Sequence, residues 1–388
     1  MRPVGPDAGP APFGRAGVRA AFFGPRPRAF AGERWNRASA LGYHSAMTRT
    51  ARRRWTRELT HEVDGIVFGE RGPVLVHGYE PPAGGKWMDD AIPGKLSAFD
   101  RTSGESLWNS PCEIGYGRGF GAGFGAEDDV LVLGPTSVGH GIARMRLETG
   151  ELLGAREIEF FDEACVAPDQ CVCVSPKRVF GVLSTDLVES WVYSRKGERY
   201  HMVSRVGELV FVVYTHIDSK KQGVLCLHAE TGERVGVLIE PCDSRMHGIV
   251  GGANSVVLAL DNLEYALPPT ALTEWFDRTS NDEPASGGSA PVGLLALTPG
   301  TEPGAEPLWF EQLSPDEACE FDEISLRFDA GRLYVARGAM LDVLDGLTGR
   351  SLGRLTLPGL DEFVSWGISE GAALLAEETR VSVFEVPD

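Results

Sequence analysis

The stretch Leu96-Ser97-Ala98-Phe99-Asp100-Arg101-Thr102-Ser103-Gly104-Glu105-Ser106-Leu107-Trp108 alternates apolar and small residues, breaks at an acidic turn, and begins to alternate again. Its mechanism is local. The Asp and Thr side chains can bond the turn backbone, Gly supplies a positive φ, and the alternation sends one side of each strand into a neighbouring layer. The pattern predicts a tight β-hairpin.

The same unit returns at Ala143–Leu152 with Thr149-Gly150, at Val224–Val235 with Thr231-Gly232, and at Leu341–Leu352 with Thr348-Gly349. A looser copy runs from Leu294 to Trp309, and a degenerate one from Val179 to Trp191. Ahead of each lies another strand–turn–strand signal, and seven such turns can be placed: Glu70-Arg71-Gly72, Glu127-Asp128-Asp129, Ser175-Pro176-Lys177, Val206-Gly207-Glu208, Gly251-Gly252-Ala253, Asp329-Ala330-Gly331 and Ser369-Glu370-Gly371. Seven turns imply seven units. The expected fold is therefore all-β, a seven-bladed β-propeller over residues 52–388, with residues 262–291 as an insertion in the fifth blade.

The chain ends support closure. The last unit offers only three strands, Phe363–Ile368, Ala372–Glu377 and Arg380–Val386, and Arg53–Thr60 is an orphan strand with Trp55 and Leu59 at even spacing. An N-terminal strand completing the last blade would remove an exposed sheet edge. Residues 1–51, rich in Arg, Pro, Gly and Ala without a period, read as a disordered tail. Met47 stands just before the first patterned segment, so Met1 and Met47 both serve as possible starts.

With Trp108, Trp191 and Trp309, these segments resemble the strand–turn–strand signature of the PQQ-like (quinoprotein-type) β-propeller repeat family over about residues 53–388. The resemblance implies the propeller more than any activity. There is no adjacent Cys-Cys pair, the tryptophan pattern is incomplete, and the units number seven, whereas quinone-dependent dehydrogenases of this kind usually have eight. No PQQ is expected.

Composition narrows the partners. The formal net charge is −18, yet eleven Arg and two acids lie in residues 1–54, so the body beyond is more acidic still. An acidic surface repels phosphate backbones and anionic lipid heads, which argues against nucleic acid and membrane. Seven cysteines in apolar runs read as reduced core residues, and the N-terminus has no continuous apolar h-region, so a cytoplasmic location is expected. Cys171-Val172-Cys173 alternates onto one side of a strand with no matching fourth ligand, which favours packing over a thiolate metal site.

In a propeller the blade-to-blade connections and the loops between second and third strands open on one face around the axis. That rule gathers His61, Asp64, Tyr116, Arg118, Asp162, Glu163, Tyr200, His201, Arg245, His247, Asp322, Glu323, Asp361 and Glu362, with His77, His140 and His216 in the other loops. Imidazoles and carboxylates from successive blades can converge there on a divalent metal or as an acid–base pair. The same residues equally serve as solvated caps of strand ends. The functional expectation is a noncatalytic binding or scaffold propeller that takes a protein or small-molecule ligand on its channel face. The alternative is a metal-assisted enzyme of hydrolase or lyase type on that same face.

Overall fold

The computed structural model describes residues 48–387 except 70–71, 81–91, 93, 116–118, 253, 280–291, 301–302, 305, 314–323, 338–339 and 361–362. Two strands open it, β1 (Thr48–Thr50) and β2 (Arg52–Glu58). The first blade follows as β3 (Glu62–Val67), β4 (Val74–Tyr79), β5 (Gly94–Phe99) and β6 (Ser106–Cys112), and the second as β7 (Gly121–Phe124), β8 (Asp129–Thr136), β9 (Gly139–Arg146) and β10 (Leu152–Ile158). The third is β11 (Glu163–Val166), β12 (Gln170–Val174), β13 (Val179–Leu183) and β14 (Glu189–Tyr193), and the fourth is β15 (Glu198–Val206), β16 (Leu209–His216), β17 (Gln222–His228) and β18 (Arg234–Cys242). The fifth is β19 (Met246–Gly251), β20 (Val256–Asp261), β21 (Val292–Leu297) and β22 (Trp309–Gln312). The sixth is β23 (Ser325–Asp329), β24 (Arg332–Arg337), β25 (Met340–Asp345) and β26 (Ser351–Thr356), and the seventh begins with β27 (Ser365–Ser369), β28 (Ala372–Ala376) and β29 (Arg380–Glu385).

Each blade is an antiparallel meander, and β2 lies against β29 as the outer strand of the seventh, with Thr56 opposite Ser382. Thr48–Thr50 differs from the sequence expectation of an unpatterned tail: β1 adds a fifth strand to the sixth blade, parallel to β26. The fifth-blade insertion holds a short 3₁₀ turn (Leu263–Tyr265) and a helix, α1 (Pro269–Thr279), whose Ala271 and Trp275 are buried. Among the described residues no helix is long and apolar enough to cross a membrane.

The core is divided among the seams between blades. Strand alternation sends Val130 and Val132 of β8 toward the first blade and Leu131 and Leu133 toward the third. Among the described residues seven apolar clusters result, one for each pair of neighbours, and the cluster between the seventh and first blades contains Trp55 and Leu59 from the N-terminal segment. The turn chemistry expected from the sequence is in place. Asp100 Oδ1 accepts bonds from the backbone N–H groups of Thr102 and Ser103, and Gly104 takes φ 70°. Bonds from Ser103 hold the Asp100 carboxyl below its ordinary range, and bonds from Thr348 do the same for Asp345.

These turns receive tryptophans from the preceding blade. Trp108 Nε1 donates to Leu147 O at 2.9 Å, Trp191 to Ala229 O at 2.6 Å, Trp309 to Gly346 O at 3.1 Å, and Trp55 of β2 to Arg101 O at 3.0 Å. Each ring lies on the turn glycine, Gly150, Gly232, Gly349 and Gly104 respectively, where an added Cβ would fall within 2.6 Å of it. Burying an indole removes about 150–250 Å² from water, worth roughly 4–6 kcal/mol at about 25 cal/mol per Å². The tryptophans sit on the odd-numbered blades. At the matching register position the even blades carry Gly154, Gly236 and Gly353.

Candidate functional site

Antiparallel order brings the starts of first and third strands and the ends of second strands to one end of every blade. His61, His77, His140, His201, His216 and His247 all lie at that end, near the termini of their strands. Most sit within or against strands, and several are buried. His61 is 3% exposed, with both ring nitrogens lacking a hydrogen-bond partner among the described residues. Burial, then the charges of Lys95 and His77, hold it below the ordinary histidine range, so it is a neutral imidazole at neutral pH. His77 places Nε2 2.9 Å from Ile114 O and stacks on Phe120 with centroids 4.5 Å apart. Because a carbonyl only accepts, Nε2 carries the proton. His77 Nδ1 then faces Asp64 Oδ2 at 3.5 Å.

On the fourth blade His201 Nε2 lies 2.7 Å from Thr215 Oγ1. Burial, followed by Arg199, lowers the His201 pKa, while Asp162 of the neighbouring connection works against them. Tyr200 alternates to the other side of β15 and is 1% exposed. Its hydroxyl donates to Glu198 Oε2 at 3.0 Å and accepts from Arg195 N at 2.9 Å, so its polar end is spent inside the blade and is closed to a ligand. Burial, reinforced by Glu198, pushes that phenol well up. On the fifth blade His247 Nε2 stands 3.8 Å from Asp261 Oδ2, and the same carboxylate accepts from the backbone N–H of Arg245, whose side chain is exposed.

Glu163 opens the innermost strand of the third blade. Its Oε1 accepts from Val203 N at 3.4 Å, and burial pushes its carboxyl up to about 7, against the pull of Val203 and Arg327. Tyr116, Arg118, Asp322, Glu323, Asp361 and Glu362 lie outside the described residues. The arrangement thus joins His61, His77 and Asp64 on the first blade, and His201 with Asp162 across the third and fourth. His247 pairs with Asp261 on its own blade. Among the described residues no three His, Cys, Asp or Glu side chains are grouped to hold a metal ion. The six described cysteines are free, and burial pushes the Cys112, Cys165 and Cys226 thiols up to about 11. Cys319 lies outside the described residues.

Sequence reading missed Arg327, whose one available signal was a charge set between Leu326 and Phe328 in a strand. It also missed a groove of about 420 Å³ on the rim, lined by Arg144, Gly154, Arg156, Asp186 and Leu187 among others. The groove lies where the second blade has glycine in place of tryptophan.

No family model matches the chain, and no curated protein matches it. Among solved structures, BamB from Moraxella catarrhalis is similar at a TM-score of 0.43 and 11% identity, over 83% of this chain and 85% of that one. The computationally designed Ika8 protein is similar at a TM-score of 0.49 and 12% identity, over 86% of this chain and 100% of that one. The sheet order of the chain itself defines a seven-bladed β-propeller.

Proposed function

We propose that this propeller is a noncatalytic binding or scaffold module that presents its channel face to a protein or small-molecule ligand. The observation that carries this reading is the contrast between the two faces. On the far face Asp100 and Asp345 are consumed in their own turns, and Trp55 and Trp309 seal those turns to the preceding blade. On the channel face His201 and His247 stand at the equivalent ends of adjacent blades, with Asp162, Asp261, Arg199 and Arg245 around them. The exposed Arg199 and Arg245 beside these imidazoles, with the Asp162 carboxylate, offer donors and an acceptor to a mixed polar ligand. Buried, unreactive thiols agree with a reducing, cytoplasmic setting.

A photo-crosslinking amino acid tests the reading when placed in the native host at exposed Asp218, in a channel-face loop, and separately at exposed Glu230, in a far-face turn. A discrete adduct is expected from position 218 and none from 230, and it should be lost in the His201→Ala/His247→Ala variant. Equal adducts from both positions, or none from either, would contradict the proposal.

A further inference from the structure

The even-numbered blades share a glycine where the odd ones carry a tryptophan, and just past it their outer strands differ. On the sixth blade Leu355 is 4% exposed, with β1 laid along β26, Arg49 opposite Leu355 and Ala51 N donating to Thr356 O at 3.1 Å. On the fourth, Leu238 and Ile239 are buried in one cluster with Leu263, Leu267, Ala271 and Trp275 of the fifth-blade insertion. On the second, Arg156 stands at that point and is exposed. Here β10 ends its sheet, and among the described residues no strand pairs with its outer edge.

Every residue of β10 is at least partly exposed, Leu152 at 53% and Leu153 at 38% among them. A free strand edge presents a row of unpaired N–H and C=O groups, a template for another strand. This edge borders the groove of about 420 Å³, walled by Leu153, Thr185 and Leu187, where Gly154 leaves the room that an indole takes in the odd seams. The charges around the groove are unequally engaged. Arg144 binds Asp129, Glu127 Oε2 at 2.7 Å and Thr185 O at 3.1 Å, and Asp186 Oδ1 accepts from Val188 N at 3.2 Å. Arg156 makes no hydrogen bond or ion pair among the described residues.

Extended peptides add to free sheet edges through main-chain bonds, and side-chain contacts decide which peptide is taken. We propose that the outer edge of β10 takes an extended segment of a partner protein, laid parallel to it as β1 is on β26, with an acidic side chain opposite Arg156 and an apolar one over Gly154 in the groove. The inference concerns the rim, goes beyond the docking role of the channel face and does not depend on it. The chemistry of the occupant follows from Arg156. A guanidinium with all its donors unused favours a carboxylate and opposes a basic strand. That sets the partner apart from the chain's own residues 1–54, with their eleven Arg and two acids. Glu157 is the register counterpart of Thr356, whose carbonyl accepts from the added segment on the sixth blade, so its main-chain groups face the incoming strand.

The probes are short fluorescent peptides of alternating threonine and valine with a central glutamate, and the same peptides with glutamine or lysine at the centre. Titrated with the full chain and followed by anisotropy, the glutamate peptide should bind most tightly, the glutamine peptide about fivefold more weakly, as for an exposed ion pair, and the lysine peptide more weakly still. Arg156→Glu, a change at an exposed position that leaves packing intact, should reverse the order so that the lysine peptide binds best. Binding of the glutamate peptide should slow amide exchange across Ala155–Glu157, and His201→Ala/His247→Ala should keep both effects. Absence of binding by the unaltered chain, equal binding of the three peptides, an unchanged order in Arg156→Glu, or slowed exchange away from β10 overturns the proposal. A dimer of the full chain that Arg156→Glu dissolves in sedimentation would give the edge to a second copy and overturn it as well.

Discussion

At the scale of single residues, the seam between the second and third blades exchanges its partners. After each odd-numbered blade a tryptophan on the outer strand meets a glycine in the next blade's turn. Here Gly154 occupies the tryptophan position and Leu187 occupies the glycine position, taking φ 59° where the equivalent glycines take 67–70°. An L residue held in the left-handed region costs about 1–2 kcal/mol, and Leu187 offsets it by being 5% exposed within the apolar cluster of this seam. A Cβ built on Gly154 would meet only Leu187 Cδ1, at 3.9 Å. Gly154→Trp alone should therefore overpack against Leu187 and cost about 1–3 kcal/mol. Leu187→Gly alone should leave a cavity costing about 2–5 kcal/mol, less the relief of backbone strain. Together they should recreate the tryptophan–glycine seam and return to within about 1 kcal/mol of the unaltered chain in urea unfolding, a coupling in the range expected for residues in contact. Additive losses would show that the two positions do not face each other. Leu187 was not legible in the sequence, because leucine in a left-handed turn follows no turn rule, whereas Thr149-Gly150, Thr231-Gly232 and Thr348-Gly349 announced their turns directly.

Among the elements, β2 is the strand on which the seventh blade depends. Trp55 makes it more than an edge cover: the ring lies on Gly104 and its N–H bonds Arg101 O, so β2 also joins the seventh blade to the first. Removing residues 1–46 keeps β1 and β2 and should leave thermal stability nearly unchanged. Removing residues 1–61 exposes β29, leaves the turn at Gly104 without its indole, and should yield aggregating protein. Equal melting and solubility of the two truncations would remove β2 from its assigned place. The strand itself was readable from Trp55 and Leu59 at even spacing. Its docking on the first blade was not, since nothing in Arg52–Glu58 names a partner turn. β1 escaped notice for a related reason: three exposed residues pairing with β26 carry no apolar alternation. Tyr200 illustrates the opposite difficulty. Its position beside His201 suggested the channel face, but alternation along β15 sends adjacent residues to opposite sides, and Glu198 two positions earlier was the residue that claimed its hydroxyl.

For the molecule as a whole, the repeat made the ring legible while the contents of the channel stayed hidden. Strand–turn–strand units are local and recur, so seven could be placed from turn chemistry alone. His201 of the fourth blade draws on Asp162 of the connection before the third, and no spacing within the chain encodes that approach. The functional reading, a docking face around the axis, presupposes that seven blades close into one ring with β2 as the final strand. A disulfide across the closing pair measures this most directly. Thr56 and Ser382 are register partners, with their hydroxyl oxygens 2.9 Å apart. In Thr56→Cys/Ser382→Cys, mild oxidation should form one bond near-quantitatively, detected as the loss of two hydrogens in mass that reductant restores, and should raise the melting temperature by closing a loop of nearly the whole domain. The native thiols should remain unpaired. Failure of this pair to oxidise in folded protein, while Thr56→Cys with a cysteine on another blade's outer strand does so, would contradict the closed ring.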